Sequence, residues 1–313
     1  MKKNAYLYCG IIALSFLWTG SAYISLAYRL MVNFTPFQID LYQVVIGYLL
    51  QVLGMIVFAM GVKKRPEIFG KNIFFTVVLI MEAIVISVGI LSSIPTVSLY
   101  FGFVMNLFHG VVAGWYLSQL SAFVPQQYRG RVFGVGYAIG SAGSWLLSLP
   151  FKGQFLRMEG IIPVYLILIA LTLFINMKAT RKPLDTKNAI SSEPLDSNGQ
   201  ILLFFVIILL TITKTLGFYF PAADISKVIN LEFSRAFYAA GLVIAGIIND
   251  KNRRYGAVCC VAALVFSFMS YVLHSQAEYT LMVWILGYIF FGFFSVYRVV
   301  VFSDIAAQKP SLL

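Results

Sequence analysis

Apolar runs of about twenty residues recur along this chain, separated by short polar breaks, and that recurrence limits the fold more than any other feature. A helix that crosses about 30 Å of hydrocarbon needs about 20 mostly apolar residues. Ten segments meet that rule: 5–28, 38–61, 72–92, 97–123, 132–150, 160–177, 200–222, 234–249, 256–273 and 279–302. The runs are continuous and do not alternate at period two, so they predict helices and not the strands of a barrel. A soluble domain could not hide this much apolar surface. Hydrophobic residues make up 60% of the 313 and charged residues 11%, with a mean hydropathy of +0.87. An average soluble domain is roughly 45–50% apolar and about 25% charged. The composition excludes a soluble enzyme, a disordered chain and a disulfide-stapled module. The expected class is an all-α, polytopic membrane protein whose main partner is the lipid bilayer.

The net charge of +11 does not point to nucleic acid. Sixteen of the 23 basic residues fall in alternate breaks: Lys2 and Lys3, 63–71, 129–131, 178–187, 251–254 and Lys309. Five fall in the other breaks, namely Arg29, Lys152, Arg157, Lys227 and Arg235, and Lys214 and Arg298 lie within spans. That asymmetry is the positive-inside signature, and it predicts a plasma (cytoplasmic) membrane protein with a cytoplasmic N-terminus. The first apolar run is too long for a signal-peptide core and is expected to be retained. Cys9, Cys259 and Cys260 show no metal-ligand or disulfide spacing, so no metal and no cofactor is expected. No Walker sequence, HExxH or GxSxG motif is present, so neither an enzyme nor an ATP-driven pump is indicated.

One break is unlike the others. Residues 178–199, KATRKPLDTKNAISSEPLDSNG, are polar, with two prolines and no apolar periodicity. They read as a flexible cytoplasmic linker. The expected organisation is a six-helix bundle over 1–178, a linker over 179–199 and an incomplete four-helix bundle over 200–313. The breaks GVKKRPEIFGK (61–71) and GIINDKNRRYG (246–256) are both basic and Gly-flanked. Gly246, Asp250, Lys251, Asn252, Arg253 and Arg254 resemble the G-x-x-x-D-[RK]-x-G-[RK]-[RK] loop of the major facilitator superfamily, with Arg253 standing where a Gly is expected. PQQYRGRVFGVGYAIGSAGSW (125–145) resembles the loop and Gly-rich helix between the fourth and fifth spans of that family. About thirty residues carry this motif-level similarity. Physically, Asp250 at a helix end can pair with Arg253 or Arg254, and with Arg129 or Arg131, as a latch that closes in one conformation and opens in another. The competing reading gives these basic residues a purely topological role.

Ionisable residues inside the bilayer are costly, about 2.5–3.5 kcal/mol each on insertion scales, and are functional candidates by default. Lys214, His109 and Glu82 lie mid-span, Arg298 near the inner end of the tenth span and Arg29 at the outer end of the first. The resemblance implies that the first, fourth, seventh and tenth helices line a cavity. Lys214, His109, Arg298 and Arg29 would then make that cavity basic, with Asn106 one helical turn from His109. Snorkelling is the bland reading for Arg298 and Arg29, and a bond to a backbone carbonyl for His109. Glu82 reads as a neutral, hydrogen-bonded structural carboxyl ahead of a proton carrier. Small-residue patterns at Gly110 and Gly114, at Gly136 and Gly140, and at Gly47, Gly54 and Gly61 predict close helix packing.

The resemblance implies a secondary transporter that moves a small, anionic solute by alternating access. The alternative is a membrane-embedded sensor, since part of the second half also resembles facilitator-like regions joined to a LuxR-type DNA-binding domain. On a twelve-helix plan two further helices are expected beyond Leu313, followed in the sensor by that regulatory domain. A third reading is a decayed transporter without activity.

Overall fold

The computed structural model describes residues 2–152, 158–179, 231–273 and 277–308, together with scattered positions between 198 and 212. Among the described residues the chain is helical and contains no strand. The helices are α1 (Lys2–Leu30), α2 (Pro36–Lys64), α3 (Asn72–Leu91), α4 (Pro95–Phe123), α5 (Gln126–Lys152), α6 (Met158–Lys178), α7 (Leu231–Lys251), α8 (Arg253–Val272) and α9 (Ala277–Gln308). Each expected segment that falls on described residues is a helix, while 200–222, with Lys214, lies mostly outside them. Among the described residues, six helices are long and apolar enough to cross a membrane: α1, α2, α3, α4, α6 and α9. In α5 and α7 the apolar run is diluted by glycine and by charge (Arg129 and Arg131 in α5, Asp250 and Lys251 in α7).

Contacts divide the chain into two compact units. The first holds Met1–Ala122 and Ile139–Lys182, and the second holds Phe123–Ala138 and Pro183–Leu312. The first half of α5 therefore belongs with α7, α8 and α9, and its second half with α1 to α4 and α6.

In the first unit, α2 is set by its ends and by one irregular turn. Thr35 caps the helix reciprocally with Gln38, and Pro36 occupies the first turn, where a missing N–H costs nothing. Asp40–Ile46 then forms a π-helical turn, which shifts the register of the residues that follow. Beyond it, Gly47 and Gly54 face α4 while Leu49, Val52, Leu53, Ile56 and Val57 point outward. That outward stripe suits lipid tails.

Between helices in lipid there is little hydrophobic drive, so close backbone approach and interhelical hydrogen bonds hold the pair. A Cβ on Gly54 would meet the Leu107 carbonyl, one on Gly110 the Gln51 carbonyl, and one on Gly114 the Phe58 ring at 2.6 Å. The glycine spacing predicted this use for Gly47, Gly54, Gly110 and Gly114. Gly61 faces the Phe69 ring of the short turn Pro66–Phe69 instead of a membrane helix. Lower in the bundle, Trp115 stacks on Phe75, with ring centroids 4.7 Å apart, and donates its indole N–H to Asn176 at 3.3 Å.

The second unit uses the same device. Gly241 approaches the Ile289 carbonyl, and Gly292 lies 2.5 Å (as an added Cβ) from the Gly241 carbonyl carbon, which brings α7 and α9 together. Gly134 abuts the Leu242 carbonyl, and a Cβ on Gly246 would stand 2.6 Å from the Gly130 carbonyl, so α5 and α7 pack backbone to backbone. Cys260, Ala263, Phe291 and Phe294 form an apolar core between α8 and α9.

Candidate functional site

The close approach of α5 and α7 brings a carboxylate against a helix backbone. Asp250, in the last turn of α7, accepts the Gly130 N–H at 2.7 Å, the Arg131 N–H at 3.0 Å and the Arg131 Nε at 2.8 Å. Glycine at 130 is required here, because an added Cβ would stand 2.7 Å from the carboxylate oxygen. The Asp250 side chain is nearly fully buried although Arg131 is half exposed. Burial raises the Asp250 carboxyl above its ordinary range, against the lowering effect of the Arg131 and Gly130 bonds.

A second carboxylate completes the cluster. Asp304, near the C-terminal end of α9, accepts Arg129 Nη1 at 2.7 Å, Arg253 Nε at 2.8 Å and Gln126 Nε2 at 3.2 Å. Arg129 is buried and donates further to the Val124 carbonyl at 2.9 Å and the Ser303 carbonyl at 3.2 Å. Its burial disfavours the charged guanidinium, and Asp304 offsets that. Arg253 links the two carboxylates: it lies 3.7 Å from Asp250, bonds Asp304, and donates Nη2 to the Gln126 carbonyl at 2.6 Å. It also donates to the Asn249 carbonyl. Three guanidinium groups and two carboxylates thus tie the first turns of α5 to the α7–α8 turn and to the end of α9, all within the second unit.

Of the five latch residues expected from sequence, the structure joins Asp250, Arg253, Arg129 and Arg131. Arg254 is exposed, and its contribution is a backbone N–H bonded to the Asn252 side chain at 2.9 Å, which caps α8. Asp304 was not anticipated. Its signal was a lone acid in SDIAAQ, at the end of the last apolar run.

The expected ligand-binding residues are not gathered in this way. Lys214 lies outside the described residues. Asn106 is buried, accepts Gln51 Nε2 at 2.8 Å and donates to the Gly102 carbonyl at 2.9 Å, so it cross-links α2 and α4. His109 is buried, with Nε2 3.0 Å from Glu82 Oε1. Arg29 donates Nε to the Ser92 carbonyl at 2.9 Å, closing the end of α3. Arg298, in the second unit, is half-buried with its guanidinium 5.7 Å from the centre of the Phe294 ring. No cluster of metal-ligating side chains occurs among the described residues.

No protein-family model matches this sequence, and a comparison with curated proteins gives no match. The fold itself supports one class: a helical, multi-pass membrane protein.

Proposed function

We propose that the chain is the membrane region of a secondary transporter of the facilitator type, moving a small solute by alternating access. On this reading it has ten membrane helices, six before the polar linker and four after it. It sits in the plasma membrane with its N-terminus in the cytoplasm. The observation that carries the proposal is the five-charge cluster of Arg129, Arg131, Asp250, Arg253 and Asp304. A buried ion-pair cluster at helix ends can exchange partners at modest net cost, which suits a device that holds one conformation and releases it. An anionic solute is favoured by Lys214 and Arg298, because Arg29 already donates to Ser92 and His109 faces Glu82.

The test is counterflow in proteoliposomes of the full chain, preloaded with one of a panel of small carboxylates or inorganic phosphate. Saturable exchange of at least one panel member, slowed severalfold by Asp304→Asn, is expected. Saturable binding of a panel member without exchange would sink the transport reading and favour the sensor alternative.

A further inference from the structure

Glu82 of α3 and His109 of α4 sit at the middle of apolar helices, 0% and 6% exposed, with Glu82 Oε1 and His109 Nε2 3.0 Å apart. The atoms are within ion-pair distance but are not aligned as a hydrogen bond. Neither Glu82 oxygen and not the His109 Nε2 has a hydrogen-bond partner among the described residues. The indole N–H of the fully buried Trp18, whose ring lies edge-on to His109 at 5.9 Å, also has none.

From this geometry we propose that Glu82 and His109 form a proton-binding site in the first unit, a couple that takes up and releases one proton. With the proton bound, the couple is carboxylic acid beside neutral imidazole, or carboxylate beside imidazolium, and either form is net neutral. Releasing the proton to water leaves a carboxylate beside a neutral imidazole, with a net charge of −1. In an apolar bundle that charge is costly unless water reaches it. Proton release is therefore tied to any conformation that hydrates the site. Neighbouring charges do not substitute for the proton. Among the described residues, His109 is the ionisable group placed against Glu82. Against α3, helix α1 brings Trp18. Its Arg29 is spent on Ser92 about 16 Å further along the helix axis, and its Tyr23 stacks on Tyr48. Helix α6 brings Tyr165, bonded to Ser25 at 2.5 Å, and Lys178, over the Phe174 ring. From α2 and α4, Gln51 and Asn106 bond each other and carry no charge. The proposal holds whether the chain transports or senses.

The experiment is infrared difference spectroscopy of the full chain in lipid, stepped between about pH 5 and pH 9. The wild type should show a carbonyl-stretch band of a buried carboxylic acid that disappears at high pH. Glu82→Gln should remove the band, and His109→Gln should retain it with a midpoint moved by about one pH unit or more. If Glu82→Gln does not fold, wild-type protein with carboxyl-labelled glutamate assigns the band by its isotope shift, and His109→Gln still reads the coupling. No titrating glutamate band in the wild type, or a band unchanged in both variants, overturns the proposal.

Discussion

Replacing Asp304 by asparagine should destabilise the second unit through Arg129, and the size of the effect can be worked from the contacts. Breaking a buried ion pair by removing one partner costs about 3–5 kcal/mol when the remaining charge is left uncompensated. Arg129 is not left wholly alone, because the Val124 and Ser303 carbonyls keep accepting from it. The Arg253 side chain is 23% exposed, so water compensates part of its loss. Asparagine also retains one acceptor oxygen. The expected cost is about 2–3 kcal/mol, below most of that range. Cys260, buried against Phe291 and Phe294, reports the event directly, because its thiol becomes reactive when the α8–α9 core opens. Thermal unfolding followed with a thiol-reactive dye, in a Cys9→Ser, Cys259→Ser background that leaves Cys260 as the reporter, gives the assay. Arg129→Gln should cost a similar amount, and the double variant should cost clearly less than the sum of the two. A coupling below about 0.5 kcal/mol, the level of independent sites, would refute the view that this cluster acts as one energetic unit.

Other consequences are simpler to state. Gly110→Val should lower folded yield and thermal stability by about 1–3 kcal/mol, because the side chain must displace the Gln51 carbonyl, whereas Gly89→Ala, whose nearest neighbour would be 3.4 Å away, should be tolerated; melting curves of both decide it. Asn106→Leu should cost about 1–3 kcal/mol by stranding the Gln51 amide, and Gln51→Leu in the same background should recover part of the loss in the same melts. Arg254→Gln should leave stability within about 0.5 kcal/mol, while Arg253→Gln should not, since Arg253 reaches both carboxylates and Arg254 reaches neither. Added salt should weaken the contribution of the half-exposed Arg131 more than that of the buried Arg129; unfolding midpoints of Arg131→Gln and Arg129→Gln at low and high salt measure the difference.

The helices were legible because lipid leaves a backbone no other way to satisfy itself, and a run of twenty apolar residues is an unambiguous sign of that constraint. The glycine contacts were legible for a related reason: spacing by four or seven places small residues on one helix face. Partner identity was not. Gly54 meets Leu107 and Gly110 meets Gln51 through a register set in part by the π-helical turn at Asp40–Ile46, and nothing local in DLYQVVI marks that turn. Asp250 and its arginines were visible as a basic loop with one acid. Asp304 was not, because an acid at the edge of an apolar run looks like an ordinary solvated helix end until another helix covers it. Glu82 and His109 were each visible as anomalies, but their meeting depends on how α3 and α4 are rotated, which composition does not encode.

The construction of the charge cluster bears on what it can do. Asp250 reaches the α5 backbone because glycine stands at positions 130 and 246, so the helices touch before any side chain intervenes. The contact is then made by backbone N–H groups, whose positions are fixed, and by arginines, whose forks can turn. The two carboxylates therefore differ in their partners. Asp250 is held by rigid donors and by Arg131, and Asp304 by the side chains of Arg129, Arg253 and Gln126. Buried pairs of this sort roughly break even against an apolar replacement, so stability alone gives little reason to place five charges here. What an apolar patch could not do is fix one register of α5 against α7 and α9 through directional bonds. Arg253, which contacts both carboxylates and two backbone carbonyls, is the member whose rearrangement would change the most bonds at once. Arg253, at the α7–α8 turn, is thus the residue through which the most bonds of the cluster run.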